Sequence, residues 1–204
     1  MTKSTTRALI FWAITLLAIA GLYGWRIYGA RPSAAQAGVS AGHHAALERP
    51  VGDFTLTDQN GEPFSTTALK GDVWIASFFF TSCPGACIKL NQAIESLEEE
   101  FDTAALQFVS ITVQPRYDRP EILRDYARRF AVDPARWHFL TGQPEEIHRV
   151  AQDQFLVSAE PGTHSSRLVL VDRSGTIRGY YLSIDDADMA RLKLRLHKML
   201  KDPS

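Results

Sequence analysis

The sequence predicts an α/β sandwich built on a mixed β-sheet. A continuous apolar run at residues 72–80 and a second, largely apolar run at 106–113 have the length and composition of buried strands. Between and after these runs lie segments whose apolar residues recur every three or four positions, which is typical of amphipathic helices. Strands that alternate with helices in this way, followed by a late hairpin, favour one mixed sheet covered by helices.

The predicted elements follow one another along residues 51–204. A strand at 54–57 meets the turn signal Asp58-Gln59-Asn60-Gly61 and returns at 63–65. The same patterns predict the later elements: strand 72–80, helix 84–101, strand 106–113, a helix from 120 to about 130, strand 137–140, helix 144–152, a hairpin of strands 168–171 and 176–181, and helix 187–200.

Residues 1–31 are predicted to be a membrane anchor. The uncharged run from Ala8 to Trp25 is 18 residues long, and as a helix it would span roughly 27 Å, close to the thickness of the bilayer core. The alternative is a cleaved signal peptide, because Ala18-Ile19-Ala20 resembles a cleavage site. We favour the uncleaved anchor, since the apolar run continues past that site. The prediction is a single span in a bacterial inner membrane, with the domain outside the cytoplasm.

The segment 32–50 is predicted to be a flexible tether, and residues 51–204 the globular domain. The tether is rich in Ala, Gly and Ser and lacks an apolar period. It contains His43-His44, which we interpret as a solvated pair rather than an auxiliary metal site. Residues 47–204 hold 18 basic and 23 acidic residues, a net charge of −5, which argues against a nucleic-acid partner.

The candidate chemistry begins at Cys83 and Cys87, the two cysteines of the chain. They lie where a buried strand passes into a helix, at the carboxyl end of the strand, where open α/β sheets place their sites. A helix N-terminus lowers a thiol pKa, and two thiolates held together can form a disulfide or bind a soft ion such as Cu(I). The alternative is a pair of small cysteines that fill the core.

A third ligand is expected to be a histidine, because Cu(II) prefers imidazole in addition to thiolate. His138, His148 and His197 lie in a predicted strand and two helices, where packing or surface roles are more common. His164 lies in a polar loop before the strand Arg167-Leu168-Val169-Leu170-Val171, and this loop can approach the cysteine helix. The position of His164 alone is compatible with two interpretations, a metal ligand and an ordinary loop histidine.

These motifs resemble the Sco (SCO1/SenC/PrrC) family. The resemblance rests on FFFTSCPGAC after a DQNG hairpin, ITVQP, and the block THSSRLVLVDRSGTIRGYY. It implies a thioredoxin-like fold, a copper site formed by Cys83, Cys87 and His164, and a copper chaperone. Its implied role is assembly of the dinuclear copper centre of cytochrome c oxidase, with the copper-bearing oxidase subunit or another copper chaperone as partner. Two neighbours depart from the family pattern: Ile88 stands where Pro is frequent, and Gln114 where Asp is frequent.

Other functions compete with the copper chaperone. A thiol-disulfide oxidoreductase or a redox or copper sensor could use the same Cys83/Cys87 pair, although the three-residue spacer and His164 favour metal. A peroxiredoxin is disfavoured, because Thr81 stands only two residues before Cys83 and no Pro stands three before Thr81. The residues alone do not fix whether copper is carried as Cu(I), Cu(II) or both.

Overall fold

The structure, a computed structural model, describes Trp12 and residues 15–17, 48–130, 133–158 and 165–202. The chain divides into two compact units, Met1–His43 and His44–Ser204. In the part of the chain that is described, no helix is both long enough and apolar enough to cross a bilayer. Most of the predicted anchor and tether lies outside the described residues, so both stay predictions.

A six-stranded mixed sheet forms the centre of the second unit. The described strands are β1 (Arg49–Pro50), β2 (Thr55–Thr57), β3 (Pro63–Ser65), β4 (Val73–Phe79), β5 (Leu106–Thr112), β6 (Trp137–Leu140), β7 (Arg167–Val171) and β8 (Thr176–Leu182). The sheet order is β1-β8-β7-β4-β5-β6, and β2 and β3 form a separate hairpin. Strands β4, β5 and β6 are parallel, whereas β7 is antiparallel to both β4 and β8.

Of the four helices described for this unit, the first three connect strands and the fourth follows β8. They are α1 (Ala86–Glu100), α2 (Pro120–Ala127), α3 (Pro144–Arg149) and α4 (Asp186–Lys201), with a 3₁₀ turn at Thr66–Leu69 and a π-helical turn at Val150–Gln154. Pro120 and Pro144 each stand at the start of a helix, where the missing N–H of proline costs nothing. Asp185 caps α4 by accepting a hydrogen bond from the Asp188 N–H.

Strand β4 shows why both faces of the sheet are covered. All seven of its residues are buried, and successive side chains point to opposite faces. On one face Phe79 stacks on Tyr126 of α2, with ring centroids 5.3 Å apart. On the other face Trp74 and Phe78 contact the ring of Phe155 edge-on, at 6.0 and 5.4 Å. The chain therefore packs in three layers around this strand.

The predicted α/β sandwich with a mixed sheet is confirmed. The hairpin β2–β3 and the strand β6 lie where the sequence predicts them, and the other described elements differ by a few residues at their ends. Strand β1 was not predicted, because a two-residue strand carries no alternation. It lies in the last two residues of the segment predicted as a tether, and it pairs with β8.

Candidate metal centre

The two cysteines lie at the turn between β4 and α1. Cys83 follows the end of β4 by four residues, and Cys87 is the second residue of α1. Helix α1 begins later than the sequence predicts, so Cys83 precedes the helix and Cys87 lies at its start rather than one turn in. Both side chains are buried, with 3% and 2% of their surface exposed. Because both sulfurs are buried, only a small reactant or a partner that contacts this turn can reach them.

The turn brings the two sulfurs together. The Cys87 N–H donates a hydrogen bond to Cys83 Sγ over 3.2 Å. Gly85, the N-cap of α1, has no side chain to accept from the free N–H groups of the first turn, and the Cys83 sulfur takes that role. The two thiols also hydrogen-bond each other, and both are free rather than joined in a disulfide.

The surroundings give the two thiols opposite acidities. Burial alone raises the pKa of Cys83, but hydrogen bonds from the Cys87 thiol and from the backbone of Gly85, Cys87 and Ala86 outweigh it and lower that pKa. Burial, and the hydrogen bond that Cys87 gives to Cys83, raise the pKa of Cys87 to about 12. Cys83 is therefore the more acidic thiol of the pair, and the positive end of α1 favours its ionised form.

A buried carboxylate fixes the start of this turn. Asp118 is 1% exposed and accepts hydrogen bonds from the Thr81 N–H at 3.1 Å and from the Thr81 and Thr112 hydroxyls, each at 2.5 Å. It thereby joins the carboxyl ends of β4 and β5, and its negative charge also contributes to the raised pKa of Cys87. Sequence reasoning missed Asp118. The available signal was its place in the loop after a buried strand that neighbours the cysteine strand.

The two departures from the family pattern lie beside the cysteines. The Gln114 side chain accepts a hydrogen bond from the Ser82 hydroxyl at 3.3 Å, so this neutral amide links the β5 loop to the residue before Cys83. Ile88 is half-buried in the first turn of α1.

Three of the histidines lie on β6, α3 and α4. The half-buried ring of His138 contacts Phe64, with centroids 4.4 Å apart, and burial lowers its pKa. The His197 ring contacts Phe101 at 4.7 Å. His148 is exposed on α3. The packing and surface roles predicted for these three agree with their positions.

His164 and the pair His43-His44 lie outside the described residues, so their roles stay predictions. Across residues 48–130, 133–158 and 165–202, no group of three or more His, Cys, Asp or Glu side chains is arranged to hold a metal ion. What the described part supplies is a two-sulfur site. Two soft donors at a helix N-terminus suit a soft monovalent ion in two-coordinate geometry, or a reversible disulfide.

Paired thiols on a mixed α/β sheet define a thiol-based metal or redox protein, and the comparisons identify the family. Residues 43–199 match the SCO1/SenC family, so the chain belongs to it. A curated relative, the SCO1 protein homolog of Bacillus subtilis, is 29% identical over 149 residues, which cover 69% of this chain and 77% of the relative. The mitochondrial SCO2 homolog of Mus musculus is 30% identical over 200 residues, covering 90% of this chain and 76% of the relative.

Solved structures of the family share this fold. A SCO1/SenC family lipoprotein from Bacillus anthracis superposes with a TM-score of 0.68 at 30% identity, covering 76% of this chain and 96% of that one. BsSco, described as a Sco-family cytochrome c oxidase assembly protein with a disulfide switch, gives 0.63 at 26% identity, with 72% and 94% covered. Copper-bound ScoI of Bradyrhizobium japonicum gives 0.55 at 26%, with 73% and 99% covered.

Proposed function

We propose that this protein is a membrane-anchored copper chaperone that binds copper through Cys83 and Cys87, with His164 as third ligand. The observation that carries the proposal is the buried, hydrogen-bonded thiol pair at the start of α1. A relative of the same fold is described with copper bound, and another is described as a cytochrome c oxidase assembly protein. The cargo is copper for the dinuclear centre of that oxidase.

The residues of the turn each have a part in holding the ion. Cys83 releases its proton more readily because its pKa is lowered, whereas Cys87, whose pKa is raised to about 12, must be deprotonated by the binding of the metal. Asp118 and Thr81 hold the turn so that both sulfurs stay together. Burial of the sulfurs keeps the bound ion away from water and from competing thiols.

Copper titration of the reduced full-length chain without oxygen tests this proposal. We expect one tightly bound Cu(I) per chain, and loss of tight binding in both Cys83→Ser and Cys87→Ser. Ser82→Ala is the matched control, because Ser82 lies in the same turn but its hydroxyl contacts Gln114 and not a sulfur. Tight binding that survives either cysteine substitution would refute the site assignment.

A thiol-disulfide oxidoreductase is the second candidate, and the unequal acidities of the two thiols favour it. In that reaction the Cys83 thiolate attacks a sulfur of a partner's disulfide, and the partner's other sulfur leaves as a thiolate that takes up a proton. Cys87 then loses its proton and attacks the mixed disulfide, so the pair becomes a disulfide and the partner is fully reduced. Rates like those of a thioredoxin, in a chain purified without copper, would select this function.

Membrane attachment belongs to the same proposal and has its own test. The 18-residue uncharged run supports a single span with the amino terminus in the cytoplasm and the domain outside it. A reporter that is active only in the cytoplasm should stay silent when it is fused after Ser204. The same reporter fused to a chain that lacks residues 1–31 should be active, and activity in both fusions would contradict the proposed topology.

A further inference from the structure

An open groove of about 840 Å³ lies between α4 and the turn that joins β7 to β8. Five of its lining residues are cationic, namely Arg173, Arg178, Arg191, Arg195 and Lys198. Two lining residues, Asp172 and Asp202, are acidic. This groove is therefore a basic surface on a domain whose net charge is negative.

Three of the five cations are not neutralised by ion pairs. Arg178 pairs with Asp172 and Glu48, and Arg191 pairs with Asp188. Within the described residues, neither Arg195 nor Lys198 has a carboxylate within ion-pair distance, and the Arg173 guanidinium donates instead to backbone carbonyls at the end of α4. These three cations keep their charge available for an external anion.

The exposed face of α4 has the pattern of an interfacial helix. Arg191, Leu194, Arg195 and Lys198 follow one another at spacings of three, one and three residues, so they share one face. Leu194 is 70% exposed at the centre of these cations. An apolar side chain surrounded by Lys and Arg suits a bilayer surface, where the apolar group enters the headgroup layer and the cations meet lipid phosphates.

The chain enters the domain beside this groove. Strand β1 pairs with β8, the Val51 N–H bonds the Gly175 carbonyl in the β7–β8 turn, and Glu48 reaches Arg178 in the groove wall. The residues that precede Glu48 are the predicted tether, and its 16 residues at 32–47, as a flexible coil, would have a root-mean-square length of roughly 25 Å. Even a weak attraction is sufficient at the effective concentration that such a tether creates.

We infer that the basic groove between α4 and the β7–β8 turn docks on the anionic headgroups of the membrane to which the chain is attached. This inference rests on the membrane attachment proposed above. The β7–β8 turn lies at the start of β4, since Val171 pairs with Trp74, whereas the cysteines follow the end of β4. The seven residues of β4 separate the two ends by roughly 20 Å, so docking leaves the cysteine turn facing away from the bilayer.

Acylation of lysines in the full-length chain, reconstituted in lipid nanodiscs, tests this inference. Lys198 reports on the groove, and Lys89, exposed on α1 beside the cysteines, is the internal control. With phosphatidylglycerol in the bilayer, acylation of Lys198 should slow several-fold relative to pure phosphatidylcholine, while acylation of Lys89 should not change. High salt should remove the protection, because it shortens the Debye length from about 10 Å to about 3 Å.

Two charge-matched variants sharpen the test. Arg195→Glu changes the charge of the groove by two units, and it should lower the affinity of the groove for the anionic bilayer by about 30-fold. Arg116→Glu makes the same change in net charge at an exposed residue of the β5 loop, and it should keep the protection of Lys198. If Arg195→Glu does not fold, the variant Lys198→Glu takes its place, and acylation is then measured at Lys201.

The possible outcomes separate this inference from the proposed function. Equal acylation of Lys198 in the two bilayers, or equal loss of protection in Arg195→Glu and Arg116→Glu, would overturn the lipid-docking groove. If Lys198 is acylated slowly relative to Lys89, and equally slowly in both bilayers, the groove has another occupant, such as a second copy of the chain. A chain that does not enter nanodiscs at all would refute the anchor together with this inference, whereas its copper titration would be unaffected.

Discussion

Replacing Asp118 by alanine removes the carboxylate that holds the cysteine turn. Three donors lose their acceptor: the Thr81 N–H, the Thr81 hydroxyl and the Thr112 hydroxyl. The hydroxyls can rotate toward other acceptors, but the Thr81 backbone N–H is fixed by the turn. Because hydrogen bonds to a charged group contribute about 1.5–3 kcal/mol each and an orphaned buried donor costs about 1–3 kcal/mol, we expect a loss of about 3–5 kcal/mol.

The assay is thermal unfolding of the reduced full-length chain, followed by near-ultraviolet circular dichroism. A loss of this size should lower the Tm by roughly 6–20 °C for a domain of about 150–250 residues. Asp118→Asn keeps one acceptor oxygen and the shape of the side chain, so it should fall between wild type and Asp118→Ala. Tight Cu(I) binding should weaken in the same order, since Thr81 stands two residues before Cys83.

The matched control is Asp125→Ala on α2. Its carboxylate is 70% exposed and pairs with Arg128, which is 72% exposed. A surface ion pair of this kind contributes at most about 1 kcal/mol, so this substitution should leave both Tm and copper binding nearly unchanged. If Asp118→Ala is no more destabilising than Asp125→Ala, the network at the turn does not hold it and the reasoning is refuted.

Three further predictions concern individual side chains. Hydrogen bonds lower the pKa of Cys83, whereas burial is the main cause that raises the pKa of Cys87 to about 12. Iodoacetamide at neutral pH, without denaturant, should therefore label Cys83 before Cys87. Equal labelling of the two cysteines, measured by mass spectrometry, would contradict this assignment. His164→Ala should spare Cu(I) binding more than Cu(II) binding, and an unchanged visible spectrum of the Cu(II) form would exclude His164 as a ligand. Burial opposes ionisation of Asp172, but hydrogen bonds from Ser174, Thr176 and Arg178 outweigh it and lower its pKa. Its contribution to stability is therefore present above the ordinary Asp range and lost as pH falls below about 4, so Asp172→Asn should flatten the acid side of the stability profile measured by urea unfolding.

The local pattern of the sequence is sufficient to predict the elements and the cysteine turn. The segments at 72–80 and 106–113 predict β4 and β5, because a strand covered on both faces is mostly apolar along its whole length. The same reasoning locates Cys83 and Cys87 after β4. It does not reveal that Ser77 and Ser110 face each other across these strands with their hydroxyls 2.8 Å apart, since that pairing depends on register.

Contacts between residues that are far apart in the chain depend on the strand order and on how the elements pack. The antiparallel insertion of β7 beside β4 places the β7–β8 turn at the far end of the sheet from the cysteines. Packing of α4 next to that turn assembles the basic groove from residues that are about twenty positions apart, and the loop after β5 brings Asp118 to Thr81 across 37 residues. Periodicity reports the environment of a residue along its own element, whereas these contacts follow from strand order and from the packing between elements. The linear pattern therefore predicts the helices, the paired thiols and every described strand except β1, and the fold decides which side chains hold those thiols in position.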